Sequence, residues 1–158
     1  MSEPAKTALP THPCAGRILA GAQIIMQVLA DEGVDAIFGY SGGAILPTYD
    51  AIHTYNEDQK ANGGRQIPLI VPANEQGAAF MAAGYARASG RVGVCMVTSG
   101  PGATNTVTPV RDSAADSVPI VVICGQVTTA AIGTDAFQEA PVASLMGSVA
   151  KHVFLVTD

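Results

Sequence analysis

At 158 residues with a formal net charge of −5, the chain is long enough for one domain with a real core. It carries no basic footprint for nucleic acid or an anionic membrane surface. It is 48% hydrophobic and only 13% charged, below the ~25% of typical soluble domains, so elements covered on both faces or hidden by partner subunits are expected.

Residues 1–17 hold Pro4, Pro10 and Pro13 without the apolar stretch of a signal peptide and read as a mobile tail. The folded domain is expected over 18–158. Ala22, Ile25, Met26, Leu29 and Ala30 form one apolar stripe at helical spacing, and Gly33 is a natural helix stop. Residues 34–38 read as a strand, 39–43 as a glycine-rich corner and 44–52 as a second helix. The polar stretch 55–66 reads as a surface loop. A strand at 67–71 leads into a helix from about 76 to 88, closed by Ser89-Gly90. The run 92–97 is nearly all apolar, as in a strand buried on both faces. A turn at 98–105, a helix to about 117 and a fourth strand at 118–124 follow. Beyond Gly125 come a loop at 130–139, a short helix at 141–146 and a last strand at 152–156. No apolar run reaches the ~18 residues of a membrane span.

Strands alternating with helices through short glycine-rich turns predict an α/β fold. It is an open, mostly parallel sheet with helices on both faces, in three layers. Thr157-Asp158 has the chemistry of a helix N-cap, so the domain is expected to be truncated at its C-terminal end. Cys14, Cys95 and Cys124 are odd in number and lack C-x-x-C spacing. That favours a reduced, cytoplasmic setting and no metal site.

Ligands of open parallel sheets bind beyond the carboxyl ends of the strands. Four corners fall there: 39–43, Asn74-Glu75, 100–105 and the segment after Gly125. Glu75 has two readings. It is either an acid in the first turn of a helix capped by Asn74, or a carboxylate placed to exchange a proton with a ligand nitrogen. Gly100-Pro101-Gly102 matches neither the Walker pattern nor the dinucleotide fingerprint, because Asn105 stands at the third glycine position. Pro101 also removes a backbone donor. This turn suits close approach to a flat ring better than a diphosphate. His12, His53 and His152 form no catalytic spacing.

The corners together resemble one family, in its own order. GYSGG at 39–43, NEQGAAF at 74–80, GYARASGR at 84–91, TSGPGATN at 98–105, DSVPIVVICGQV at 116–127 and GTDAFQE at 133–139 are similar to the thiamine-diphosphate-dependent acetohydroxyacid (acetolactate) synthases, catalytic subunit. The likeness runs from about Gly21 to Asp158. TSGPGATN and Glu-Gln-Gly are shared widely among thiamine enzymes, whereas GTDAFQE is narrower.

The resemblance implies the N-terminal pyrimidine-binding domain. It makes Glu75 the catalytic carboxylate that hydrogen-bonds the pyrimidine nitrogen and promotes removal of the thiazolium proton. It places Tyr40, Gly42, Gly43, Pro101 and Asn105 at the cofactor and Phe80, Phe137 and Gln138 on the substrate side. It further implies pyruvate and a second 2-keto acid as substrates in branched-chain amino-acid biosynthesis. A homo-oligomer with the site between subunits, and scope for a regulatory subunit, come with it. Mg2+ and FAD are implied as bound mainly by domains absent from this chain, so the isolated chain is expected to be inactive. Ser41, Asn74, Ala83 and Thr128 depart from the family's usual Pro, His, acidic residue and Pro; the last implies weak sulfonylurea inhibition. Two other readings stay open: a thiamine enzyme of another class (oxidase, decarboxylase or acetyltransferase), and a non-catalytic truncated module for binding or dimerisation.

Overall fold

The structure is a computed structural model that describes residues 12–157. Four parallel strands form one sheet in the order β2-β1-β3-β4. They are β1 (Ile37–Tyr40), β2 (Leu69–Ile70), β3 (Gly93–Val97) and β4 (Ile120–Cys124). The helices are α1 (Gly21–Asp31), α2 (Leu46–Asn62), α3 (Glu75–Ser89), α4 (Pro101–Thr104), α5 (Val107–Ala115) and α6 (Val142–Gly147). Short 3-10 turns lie at Gly43–Ile45 and Thr129–Ala131.

The two-residue repeat of the strands divides the core into two layers. Ile37, Val94 and Met96 point to one face, where they pack with Met26 and Leu29 of α1 and with Ile45, Ile52 and Ile67. Phe38, Cys95 and Val97 point to the other, against Ala78, Ala79 and Ala82 of α3. Small alanines let α3 lie close to the sheet. At Gly93 a Cβ would collide with the backbone of Ala82. α5 packs on α3, so helices cover both faces as expected.

Helix ends follow their capping chemistry. Asn74 Oδ1 accepts the Gly77 amide at 2.8 Å, and Gly90 closes α3 in the left-handed region. Gly33 does the same after α1. Four expectations need correction. The predicted loop at 55–66 is mostly helix, because α2 continues to Asn62 and stops only at the left-handed Gly63. The predicted strand 67–71 pairs only through Leu69–Ile70. Both backbone groups of Ile67 are occupied by the Asn56 side chain, each at 2.8 Å. The first strand lies at Ile37–Tyr40 rather than 34–38, since Val34 N–H turns back to Leu29 O. Residues 152–156 are not strand. The predicted tail falls partly outside the described residues; within them, His12 contacts Asp31 at 3.0 Å.

Candidate functional site

The strand order sets where the loops diverge. The chain leaves β1 toward α2 on one face and leaves β3 toward α4 and α5 on the other. The crevice between the carboxyl ends of β1 and β3 is therefore the switch point of the sheet. The corner at 41–43 and the turn at 98–102 face each other there.

Thr98 joins them. It is buried, its Oγ1 accepts the Ala44 amide at 3.2 Å, and its methyl occupies space that side chains at the facing glycines would need. A Cβ on Gly42 would fall 2.5 Å from Thr98 Cβ, and one on Gly102 would fall 2.7 Å from Thr98 Cγ2. From β4, Gly125 approaches the Ala44 backbone so closely that a Cβ would lie 2.7 Å from the Ala44 carbonyl carbon. Three strand ends are thus drawn together with no side chain intervening at the glycines.

Glu75 enters this cluster from the first turn of α3. Asn74 already supplies the cap, so the Glu75 carboxylate is not spent on it. Its Oε2 accepts from Asn105 Nδ2 at 3.0 Å. Its Oε1 lies 3.6 Å from the position a Cβ would take on Gly102 and accepts no hydrogen bond among the described residues. Glu75 is partly buried. Its charge reaches the sheet: burial, then Cys95, then Glu75 push the Tyr49 hydroxyl well above its ordinary pKa. Burial first, with Cys124 and Glu75 adding, pushes the Cys95 thiol up to about 12. The Tyr49 hydroxyl itself donates to Met96 O at 3.0 Å, and Gly39 has no room for a side chain beneath it.

The other residues singled out in the sequence lie around this centre. Tyr40 ends β1, paired with Val97. Gly43 opens the 3-10 turn beside Gly42. Pro101 begins α4, exposed. Phe80 lies on α3, 38% exposed, beyond the contacts of Glu75 with Asn105 and Gly102. Phe137 is 89% exposed and so packs on none of the others. Its neighbour Gln138 does come in, with its carbonyl laid against Gly100, a residue at φ +46° that would not accept a Cβ. Among the described residues no group of three His, Cys, Asp or Glu is placed to hold a metal ion, and no helix is long and apolar enough to cross a membrane.

Two residues with clear positions were not singled out in the sequence. Thr98 belongs to a quoted motif, but its role as a spacer depends on meeting Gly42 and Ala44, more than fifty positions away, as well as the nearby Gly102. Glu139 folds back on its own loop and takes the amides of Gly133 and of Ala136, the latter at 3.1 Å. Those hydrogen bonds, that of Gly133 foremost, hold its carboxyl below the usual range against a smaller effect of burial. The only sequence signal was an acid closing a glycine-led loop.

Comparison with known proteins agrees with the layout. The family described as thiamine pyrophosphate enzyme, N-terminal TPP binding domain, matches residues 19–146. The acetolactate synthase catalytic subunit, mitochondrial, of Saccharomyces cerevisiae is 55% identical over 138 residues, covering 87% of this chain and 19% of that protein. An acetolactate synthase of Mycobacterium bovis is 49% identical over 138 residues, 87% of this chain and 21% of its own length. The acetolactate synthase isozyme 2 large subunit of Escherichia coli is 49% identical over 136 residues, 86% of this chain and 23% of its own length. The chain therefore spans 19% to 23% of the length of these three relatives. Matched over most of its residues, the chain belongs to the thiamine pyrophosphate enzymes, in their N-terminal TPP-binding domain.

Proposed function

We propose that the chain serves as the pyrimidine-binding domain of an acetolactate synthase catalytic subunit, with Glu75 as its proton-handling group. One observation carries this reading. At the switch point of the sheet, a partly buried carboxylate is fixed through one oxygen by Asn105 and turns the other toward the bare backbone of Gly102.

That geometry fits a flat heteroaromatic ring. Gly102, packed on the Thr98 methyl, sets no side chain beside Glu75, and Gly42 and Gly43 offer backbone alone at the facing corner. Glu75 Oε1 accepts the hydrogen bond of a ring N–H and holds that proton at the nitrogen. A carboxylate does this where its charge is not neutralised by a cation. Asn105 keeps the carboxylate aimed by donating to Oε2. Tyr40 and Pro101 border the ring, and Phe80, Phe137 and Gln138 border the substrate side. When bound, thiamine diphosphate supplies the electron sink through which pyruvate loses carbon dioxide and joins a second 2-keto acid.

Further parts of the reading rest on the relatives. The three relatives above are acetolactate synthases, and branched-chain amino-acid biosynthesis follows from that activity. Mg2+ and FAD would be held mainly by other domains, so these 158 residues alone would be inactive. The working protein would be a homo-oligomer, open to a regulatory subunit, and cytoplasmic, although the yeast relative is named as mitochondrial.

The test is acetolactate formation by an enzyme carrying this domain, as wild type and as Glu75→Gln. Loss of a positioned proton-transfer group should lower the rate by about 10²–10⁴-fold. Undiminished activity in the variant overturns the assignment of Glu75. A wild type that consumes pyruvate without forming acetolactate assigns the domain to another class of thiamine enzyme.

A further inference from the structure

Residues 133–139 form a loop with an unusual backbone. Gly133 lies at φ +84°, Asp135 at +57° and Gln138 at +58°. The last two are left-handed without being glycine, a conformation that L side chains disfavour. Something must hold them there. The Glu139 carboxylate takes the Gly133 amide on Oε1 and the Ala136 amide on Oε2, while its own amide donates to Ala136 O at 2.9 Å. Thr134 adds a hydroxyl bond to Ala131 O at 2.8 Å. The loop is wound around one carboxylate.

The winding has two outward consequences. Phe137 is turned away from the body of the domain, 89% exposed. Gln138, held in the left-handed region, lays its carbonyl on Gly100, the residue immediately before the α4 turn that carries Gly102. The loop is thereby seated on the same turn that faces Glu75.

We infer that Glu139 is a positioning residue, whose carboxylate fixes the 133–139 loop so that Phe137 and Gln138 are presented in register with the Gly100–Gly102 turn. The inference rests on the reading of Phe137 and Gln138 as substrate-side residues for its functional half. Its geometric half stands on the loop alone. Glu139 touches neither ring nor substrate in this scheme and acts only through its neighbours.

Amide hydrogen exchange on the 158-residue chain tests the geometric half. In wild type the Gly133 and Ala136 amides exchange slowly. Glu139→Ala speeds both by about tenfold or more and leaves the β3 amides of Val94–Val97 unchanged. Glu139→Gln keeps one acceptor oxygen and therefore protects one of the two amides. Unchanged protection in Glu139→Ala overturns the inference, and so does equal acceleration in β3, which would mark a global effect.

In an enzyme that carries the domain, Glu139→Gln raises the KM for the 2-keto acid about tenfold with kcat changed less than about threefold. A purely structural role would lower kcat and melting temperature together and leave KM in place, which overturns the positioning role. Wild-type acetolactate formation distinguishes these failures from failure of the proposed function. If it is present while the exchange result fails, only the role of Glu139 is lost.

Discussion

The side-chain amide of Asn105 donates to Glu75 Oε2 at 3.0 Å, tying the end of the β3 turn to the first turn of α3 across 30 residues of sequence. Asn105 is exposed and Glu75 only partly buried, so water competes for both groups and the bond adds at most about 1 kcal/mol to stability. Its larger effect is on aim. Asn105→Ala should change the denaturation midpoint little but reduce cofactor-dependent activity about tenfold, through loss of orientation. Asn105→Asp should do worse at neutral pH. It sets a second carboxylate beside Glu75, and two like charges at that distance resist joint ionisation. Activity measured for both variants at pH near 7 checks the order; an Asp variant as active as the Ala variant would contradict the electrostatic account.

The contact between Thr98 and the facing glycines makes a second prediction. Gly102→Ala brings a methyl to 2.7 Å from Thr98 Cγ2 but leaves Thr98 Cβ at 3.5 Å. Overpacking of this kind costs about 1–3 kcal/mol. Thr98→Ser removes the offending methyl while keeping the hydroxyl that accepts from Ala44, so it should recover most of the loss. Gly42→Ala would meet Thr98 Cβ itself at 2.5 Å, and Thr98→Ser should not rescue it. Double-mutant cycles read by urea denaturation should give a coupling above about 1 kcal/mol for the Gly102 pair and a smaller one for Gly42. Equal couplings would mean the backbone shifts instead.

The parts of this architecture that were legible in the sequence are those whose cause is local. The apolar run of β3, the stripe of α1 and the Asn74 cap of α3 each state their conformation within a few residues. Misreadings arose where a distant partner decides. Residues 53–62 are polar almost throughout, so nothing in them signals burial, yet they continue a helix anchored by Thr48 and Ile52 on its inner side. Ile67 is apolar like a strand residue, but Asn56 occupies its backbone. Within the site, Glu75 and Asn105 were each legible as corner residues, whereas the bond between them was not. The winding of 133–139 about Glu139 was hidden for another reason: Gly133 and Asp135 tolerate a left-handed backbone without revealing what holds it, and Gln138 carries no warning of it.

Burial separates the three thiols by reactivity. Cys95 is fully buried and its thiol is pushed up to about 12, and burial pushes Cys124 up to about 11. The thiolate is the nucleophile, so at pH near 8 both carry very little of it. Cys14 is partly exposed and free, with its sulfur 3.9 Å from Gln27. A maleimide should add rapidly to one thiol in the native chain and to three in denaturant, with Cys14 identified by peptide mass. Fast native labelling of Cys95 would mean that the layer between β3 and α3 opens readily.

Asp35 supplies a pH signature away from the site. It sits between α1 and β1, where it accepts from the Tyr85 hydroxyl and pairs with Arg91. The Tyr85 hydrogen bond first, then the charges of Arg91 and Arg65, hold its pKa below 3.8 against an opposing effect of burial. A carboxyl with a depressed folded pKa binds fewer protons folded than unfolded. Its stabilisation is therefore complete above the unfolded pKa and is lost as pH falls through the folded one. Asp35→Asn keeps an oxygen for Tyr85 but loses the charge facing the two arginines. The difference in denaturation midpoint between wild type and Asp35→Asn should hold steady from about pH 7 down to about pH 5 and close below 3.8, as the wild-type group becomes neutral too. Other carboxylates, Glu139 among them, titrate alike in both chains and cancel in that difference. A gap that persists undiminished in acid would show that the amide side chain of the variant fails through shape rather than charge.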